Sequence, residues 1–269
     1  MFNRVFSKKN RVLLAELVRT DFKLRYQNSV LGYLWSLLKP LMLFAIMYTV
    51  FTLFLKIGKG IPNYPISLLL GIVLWNFFNE ATNSSLKSIV GRGSLIRKIN
   101  IPRYLIPIAS ISSAFINMLL NLLIVLVFVL IAKDTPLSLS TLIILPLLLM
   151  ELMVLAAAVG FFLAALFVKY RDMEHIWDVV KQALFYGTPI IYPLSLIPSE
   201  AIQKILILSP LAQITQDSRA VLTYGGTAQI GDLYSQPVVS LVPLIVVFGL
   251  LLLSVWYFRR HSKQFAEEV

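Results

Sequence analysis

Two carboxylates interrupt the long apolar stretches of this 269-residue chain, and they are its first candidates for chemistry. Glu80 stands among Asn79 and Asn83, which predicts a hydrogen-bonded polar seam inside a membrane-spanning helix. Glu151, shortly after Pro146, is the weaker candidate because it could lie near a membrane interface. Two acids are too few for a proton-relay chain of the kind that many secondary transporters carry. A substrate role is therefore predicted for Glu80.

Metal and nucleotide chemistry find no support in the sequence. The histidines His175 and His261 have no second histidine or cysteine at ligand spacing, and Asp172 and Glu174 do not converge with His175 on one helix face. The chain has no cysteine, which excludes disulfides and thiolate metal sites. No G-x-x-x-x-G-K-S/T motif occurs. We therefore predict no metal, no cofactor bound by this chain and no ATP site of the P-loop type.

Aromatic residues give a richer signal. Phe44, Tyr48 and Phe51 follow i, i+4, i+7 spacing and form one stripe on a helix. Such a stripe is more often helix packing than a ligand path, but sugars stack their CH faces on aromatic rings, so a glycan path is the alternative. Further aromatic candidates for this path lie near predicted interfaces, at Tyr33, Trp35 and Tyr192.

The elements that must position these residues are apolar helices. Hydrophobic residues make up 58% of the chain and charged residues 14%, with a mean hydropathy of +0.81. Soluble domains have about 45–50% and about 25% instead, so too few charges remain here to coat a soluble surface. The apolar residues form continuous runs and do not alternate with polar ones, which favours membrane-spanning helices over a β-barrel. We predict an all-α membrane protein.

Six apolar stretches can be compared with the ~20 residues that cross a bilayer. Lys39 and Pro40 interrupt the first stretch, and Pro189 and Pro193 break the fifth. The weakly apolar chain after that break, about 194–222, is interpreted as short re-entrant or interfacial helices. The predicted spans cover 31–55, a stretch from about 66, then 105–131, 137–168, 176–191 and 238–258.

The first 30 residues lack the apolar core of a signal peptide. Leu14, Leu17, Val18 and Phe22 recur at helical spacing while basic residues occupy other faces, which predicts a helix on the membrane surface. Charge-assisted hydrogen bonds could hold an anionic lipid head group there. The candidate residues for this contact are Arg19, Lys23, Arg25 and Tyr26.

The net charge of +11 reflects where the basic residues lie, and nucleic acid is not needed to explain it. Nineteen of the 24 Lys and Arg residues precede or interrupt the first span, or lie in the connections 87–103 and 169–181 and in the tail. By the positive-inside bias, both termini are then cytoplasmic. The chain divides into an N-terminal segment 1–30, a membrane domain 31–258 and a tail 259–269.

A basic and amphipathic connection follows the second predicted span. Its apolar residues are expected to be exposed among charges, which is typical of docking to a soluble partner. Pro102 ends any helix in this segment, 94–103. The candidate docking residues are Leu95, Ile96, Arg97, Lys98, Ile99, Ile101, Pro102 and Arg103.

Five segments follow one another over most of the chain: DFKLRYQNSVLGYLW at 21–35 with Pro40, LIRK at 95–98 with Ile101 and Pro102, YRD at 170–172, TPIIYP at 188–193, and SPL at 209–211 with Arg219. In these segments and their order the chain resembles the membrane subunits of ABC-2 type exporters, in particular the polysaccharide, O-antigen and teichoic-acid export permeases. One departure is Ser209, where many relatives have asparagine before the proline.

The resemblance implies six transmembrane helices, an N-terminal interfacial helix and two short re-entrant helices between spans five and six. It also implies a homodimer that pairs with two copies of a separate ATPase, which would bind ATP and Mg and receive segment 94–103 as a coupling helix. The implied substrate is a lipid-linked polysaccharide moved across the bacterial cytoplasmic membrane. The residues of the re-entrant region would include Pro189, Pro193, Pro210 and Arg219.

Two alternatives remain at this point. An ABC-2 exporter of a small amphiphile or drug would share the fold and differ in having a closed apolar pocket. A membrane-embedded glycosyl or acyl transferase would need a histidine or paired carboxylates facing one cavity, and the sequence offers neither in a recognisable pattern.

Overall fold

The computed structural model describes residues 7–25, 31–32, 34–57, 61, 63–98, 101–132, 139–223, 227–262 and 265–268. Within these ranges every regular element is helical. Seven of the described helices have 15 residues or more and belong to the predicted surface helix and spans. We number the helices in chain order, beginning with α1 (Lys8–Arg25), α2 (Leu34–Tyr48) and α3 (Tyr64–Gly91).

The remaining helices follow in the same order. The last turns of the first span, Thr49–Phe54, are π-helical and continue α2. Short 3-10 turns occur at Leu194–Leu196 and Pro237–Leu241. The other helices are α4 (Gly93–Lys98), α5 (Leu105–Ile131), α6 (Leu139–Lys169), α7 (Met173–Gly187), α8 (Glu200–Ile207), α9 (Pro210–Thr223), α10 (Ile230–Leu233), α11 (Val242–His261) and α12 (Phe265–Glu268).

Four helical stretches of the described chain are long and apolar enough to cross a membrane: Leu34–Phe54, Leu105–Ile131, Thr141–Lys169 and Pro237–His261. They confirm an all-helical, multi-pass membrane protein and correspond to predicted spans one, three, four and six. The predicted total of six is not confirmed. The helix in the fifth stretch, α7, has 15 residues, about 22 Å, which is short of the ~30 Å hydrocarbon layer.

The core is built around α3. This helix begins after Asn63, which has a left-handed φ of 54°, and Pro65 occupies its first turn. It packs against α2, α5, α6, α7 and α9, and most of its side chains are buried. Because its polar residues are enclosed by these neighbours, α3 is a central helix with a polar face rather than a lipid-facing one.

One close approach fixes α3 against α6. A Cβ atom on Gly160 of α6 would lie 2.7 Å from Ser85 Oγ and 2.9 Å from Ser85 Cβ. Only glycine fits at that distance, and small residues commonly allow such close approach between membrane helices. The two helices are therefore in direct contact at this point, in the C-terminal half of each.

The amphipathic helix α1 packs on α5, as expected for an interfacial helix that contacts the membrane domain. Leu17 is buried there against Leu105 and Ala109. Asp21 of α1 also forms an ion pair with Arg92, which follows α3. The predicted N-terminal helix is therefore present, and both packing and charge attach it to the ends of α3 and α5.

Candidate functional site

A polar cavity of about 400 Å³ lies between α2, α3 and α5. The side of α3 that faces it carries Asn76, Asn79, Glu80, Asn83 and Ser84, which recur at helical spacing and so share one face. The facing residues of α5 are Asn117 and Asn121, and those of α2 include Trp35, Ser36 and Lys39. The predicted polar seam around Glu80 is thus the wall of a cavity.

Glu80 is joined to the opposite wall. The amide Nδ2 of Asn117 donates a hydrogen bond to Glu80 Oε2 at 2.7 Å, and Nδ2 of Asn121 donates to the Asn117 carbonyl at 2.9 Å. Glu80 lies about 16 Å along α3 from Gly91, and Asn117 about 18 Å along α5 from Leu105. Glu80 and Asn117 thus lie about three turns inside the ends of their helices, whereas Trp35, Ser36 and Lys39 belong to the first two turns of α2.

Asn117 and Asn121 are not among the site residues predicted from the sequence. They are spaced i, i+4 in a stretch that is otherwise strongly apolar, which is a recognisable signal for one polar strip on a helix. Lys39 was interpreted only as an interruption of the first span, and in the structure it lines the cavity. The cavity could have been anticipated only by pairing the strips of two helices.

The predicted aromatic path does not form one continuous set. Trp35 lines the cavity with Glu80, whereas Phe44 packs on Tyr48 and edge-on against Phe128 of α5. Phe51 is partly buried against the main core. Tyr192 lies in the broken region and donates to the Tyr186 carbonyl at 2.9 Å, and Tyr33 lies outside the described residues. Their role as a path remains a prediction.

A second groove lies between α1 and α5. It is mostly apolar, has a volume of about 770 Å³, and is lined by Leu14, Val18 and Phe22 together with Ile116 of α5. Its basic residues are Arg11, Arg19 and Lys23. Two of the predicted head-group residues therefore border an apolar groove. Tyr26 and the Arg25 side chain lie outside what the structure describes.

The predicted docking segment forms the short helix α4 and the turn after it. Ile96 is buried with Ile106, Phe161 and Phe258, and Ile101 is 7% exposed. The expectation that the apolar residues are exposed is therefore wrong for these two, because the ends of α5, α6 and α11 cover α4. Ile99 lies outside the described residues.

The outward side of α4 is basic. Arg97 and Lys98 are exposed, and Leu95 is only partly buried against Leu17. Arg103 is tied back to the chain by a hydrogen bond to the Ser262 carbonyl, and Pro102 is half-buried beside it. The described part of the segment thus presents a positively charged surface, and its buried Ile96 anchors it.

A buried arginine holds the broken region in place. Arg219 of α9 is 3% exposed, and its guanidinium donates to the carbonyls of Ser67 at 3.0 Å, of Pro189 at 2.6 Å and of Ile190. The Tyr64 hydroxyl donates to the Ile191 carbonyl at 2.7 Å. The bonds to Pro189, Ile190 and Ile191 satisfy carbonyls of the non-helical TPIIYP segment, and the bond to Ser67 ties Arg219 to α3.

The space around Arg219 is filled. A Cβ atom on Gly71 of α3 would lie 2.6 Å from Arg219 Nη2 and 3.0 Å from the Ile190 carbonyl oxygen. Pro189 and Pro193 are buried in the same region, and Pro210 begins α9. The two short helices α8 and α9 occupy the segment predicted to re-enter the membrane, and their path relative to a membrane stays a prediction.

The second intramembrane acid lies apart from the cavity. Glu151 of α6 lies beside Gln213 and Asp217 of α9, and Gln213 Nε2 donates to Asp217 Oδ2 at 2.6 Å. This cluster joins α6 to α9. Within the described residues no group of three His, Cys, Asp or Glu side chains could hold a metal ion.

The family model described as ABC-2 type transporter matches residues 13–222. Over 213 residues the chain is 31% identical to the O-antigen export system permease protein RfbA of Klebsiella pneumoniae, a match that covers 79% of this chain and 81% of that protein. A protein of the same description from Myxococcus xanthus is 26% identical over 96% of both chains. The polysialic acid transport protein KpsM of Escherichia coli is 21% identical over 89% of this chain and 92% of its own.

Proposed function

Because this chain belongs to the ABC-2 type transporter family, we propose that it is the membrane-spanning permease subunit of an ATP-driven exporter of a lipid-linked polysaccharide. The observation that carries this proposal is the similarity of the chain, over most of its length, to O-antigen export system permease proteins and to a polysialic acid transport protein. A cavity with a polar wall between α2, α3 and α5 is consistent with a hydroxyl-rich cargo. Nothing in the described part of the fold favours a small-amphiphile exporter or a transferase.

In the proposed arrangement α3 crosses the bacterial cytoplasmic membrane together with the four apolar stretches. The helix α7 completes its crossing with the buried non-helical segment 188–193 that follows it, and α8 and α9 form the re-entrant pair. Both termini lie in the cytoplasm. This orientation is supported by the 19 basic residues that the sequence gathers on one side. With a cytoplasmic N-terminus, the first span leads outward and the second span, α3, leads back. The C-terminal end of α3 is then cytoplasmic, and so is α4, which directly follows it.

The energy comes from a separate ATPase that binds ATP and Mg. We assign its docking surface to the outward side of α4, where Arg97 and Lys98 are exposed. Because Ile96 is packed into the ends of several helices, a displacement of α4 is transmitted directly to the core. Two permease chains and two ATPase chains make up the proposed complex. The face of α2, which is mostly left exposed, is available to the second permease chain or to lipid.

The basic groove beside α1 is the proposed site for the lipid end of the substrate. An isoprenoid chain suits the apolar lining, and Arg19 and Lys23 suit an anionic diphosphate. Glycan hydroxyl groups would then enter the membrane domain with the carrier lipid held at its surface. The aromatic residues Trp35, Phe44, Tyr48, Phe51 and Tyr192 stay candidates for the sugar path.

Reversing the two charges at the groove is expected to weaken lipid binding. In the double variant Arg19→Glu, Lys23→Glu, repulsion replaces attraction, so retention of an added polyprenyl diphosphate should fall at least about tenfold, given ~1 kcal/mol per basic residue. Native mass spectrometry of the purified permease measures the bound lipid. The matched control is Lys8→Glu, Lys9→Glu, which makes the same charge change on exposed residues of α1 outside the groove. Equal loss in both variants would show only a general charge effect.

The proposed function is tested in cells from which the chain is depleted. A lipid-linked polysaccharide is expected to accumulate in the cytoplasm and to disappear from the surface, because synthesis continues while transport stops. The tagged chain should also copurify with an ATPase subunit. Normal surface polysaccharide in depleted cells, or purification without any ATPase, would contradict the proposal.

A further inference from the structure

We infer that the C-terminal tail positions the docking helix α4, with Phe265 as its anchor and the Ser262 carbonyl as a second point of attachment. The inference rests on the proposed function, because it concerns how work done by the ATPase on α4 reaches the membrane domain. The helix α4 has six residues and is too short to be stable alone, so its position depends on what it packs against. The tail supplies part of that packing.

Phe265 packs into the cluster of side chains that holds α4. It begins α12 and is 1% exposed. Its ring meets the ring of Phe258 edge-on, with centroids 5.3 Å apart, and Phe258 meets Phe161 edge-on at 5.1 Å. Such pairs are favourable beyond the area that they bury. Ile96 of α4 belongs to the same buried cluster, and α12 contacts both α4 and α6. The tail is therefore part of the packing around α4.

A hydrogen bond attaches the tail to the turn after α4. The guanidinium of Arg103 donates to the carbonyl of Ser262, which lies 159 residues further along the chain. The Ser262 amide itself donates to the Phe258 carbonyl at 2.8 Å, at the end of α11. Carbonyls at a helix C-terminus carry partial negative charge, which favours a guanidinium donor there. The docking segment is thus attached to the tail at two places.

These attachments connect α4 to helices that are not its neighbours in the sequence. The chain itself joins α4 to α3 and α5, whereas the tail joins it to α11, which packs along α6. Ile96 alone offers one aliphatic side chain for this contact, and the tail adds an aromatic ring and a charged hydrogen bond. A displacement of α4 is therefore passed to α6 and α11 more completely with the tail in place. Phe265 is a positioning residue in this sense.

The natural absence of cysteine allows a direct measurement of how firmly α4 is held. In the variant Ile96→Cys, the one thiol of the permease lies on the buried side of α4. The full-length permease is purified without its ATPase, so that the outward side of α4 is uncovered, and the rate of labelling by a maleimide is measured. Adding Phe265→Ala should raise this rate at least about tenfold, because loss of the ring lets α4 open locally.

Matched controls separate local opening of α4 from general damage. Ile89→Cys places the thiol in the same cluster but on α3, where Ile89 is 0% exposed, and it should label slowly with and without Phe265→Ala. Phe162→Ala makes the same change on α6, in a ring that is 43% exposed beside Tyr257 and outside the cluster. It should leave the labelling of Ile96→Cys unchanged. Phe265→Leu keeps most of the apolar volume, so it should raise the rate less, and it gives the same comparison where the alanine variant does not accumulate.

The second measurement is the amount of export obtained per ATP. In the permease with its ATPase and without introduced cysteines, Phe265→Ala should leave copurification and ATP hydrolysis near wild type, because Arg97 and Lys98 are unchanged on α4. Surface polysaccharide should fall at least about threefold, since less of the displacement reaches α6 and α11. Phe265→Leu should restore most of it. A role in folding alone would instead lower all three measurements in proportion to the amount of folded protein.

Three results would overturn the inference. The first is labelling of Ile96→Cys that Phe265→Ala does not accelerate. The second is an equal acceleration at Ile89→Cys, which would show that the tail stabilises the fold as a whole. The third is wild-type export per ATP in Phe265→Ala. The proposed function is judged separately, because the labelling needs neither ATPase nor substrate: if depleted cells accumulate polysaccharide while Phe265→Ala changes nothing, only the role of the tail is wrong.

Discussion

Replacing Arg219 with leucine is expected to remove most of the folded protein from the membrane, and export with it. The guanidinium donates to three backbone carbonyls, at Ser67, Pro189 and Ile190, and leucine can donate to none of them. The Ser67 carbonyl lies inside α3 and keeps its place in the helix ladder, but the carbonyls of Pro189 and Ile190 would lose this donor. Each buried acceptor left unpaired costs about 1–3 kcal/mol, so the two together can reach the range of severely destabilising substitutions. Fluorescence-detected size-exclusion chromatography before and after heating measures the folded amount.

Two further variants define the reason for this loss. Arg219→Lys keeps the charge but offers one nitrogen where the guanidinium reaches carbonyls on two elements, so an intermediate loss is expected. Lys204→Gln is the control, because Lys204 makes an exposed ion pair with Glu200 at 2.5 Å on the neighbouring helix α8, and the variant should behave as wild type. An Arg219→Leu protein as abundant and heat-stable as wild type would show that the carbonyls are satisfied in another way.

The double variant Arg97→Glu, Lys98→Glu is expected to abolish export while leaving the amount of folded protein nearly unchanged. Both side chains are exposed on α4, so the fold does not depend on them, whereas a docked ATPase would meet two reversed charges. Copurification with the ATPase, ATP hydrolysis by the complex and surface polysaccharide are the measurements. All three should decline together.

The control for this variant is Arg259→Glu, Arg260→Glu at the end of α11. These residues are exposed, and the change in net charge is the same. If both double variants exported normally, α4 would not be the docking surface. If both lost export equally, the effect would belong to the basic side of the protein as a whole.

The sequence predicts the class of this fold well because hydropathy is a property of each segment alone. Continuous apolar runs identified the four membrane-capable stretches, and the helical spacing of Leu14, Leu17 and Val18 identified α1. The prediction that Ile96 is exposed was wrong because burial depends on the rest of the fold and not on one segment alone. An amphipathic pattern shows that one side will be buried but not by what, and here the chain's own Phe161 and Phe258 bury it.

Long-range pairing sets the same limit for the two buried polar features. Asn121 and Glu80 line one cavity only because α3 and α5 face each other. Arg219 donates to carbonyls that lie about 30 and 152 residues away along the chain. A strongly charged residue in a Pro-rich region looks like part of an exposed loop when only its neighbours are considered. Its burial follows from a tertiary arrangement that local patterns do not encode.

The contact between Gly160 and Ser85 has a consequence for how the path can open. Since α3 and α6 approach this closely, sliding or rotation of one past the other would cause steric overlap at Ser85. We therefore expect the two helices to move as one unit. By contrast α2 is scarcely buried, and its last turns, Thr49–Phe54, are π-helical, a form that is often found at sites of adjustment. Because α2 is also one wall of the polar cavity, a movement of α2 relative to α3 would change the width of that cavity, so opening of the path would begin at this wall.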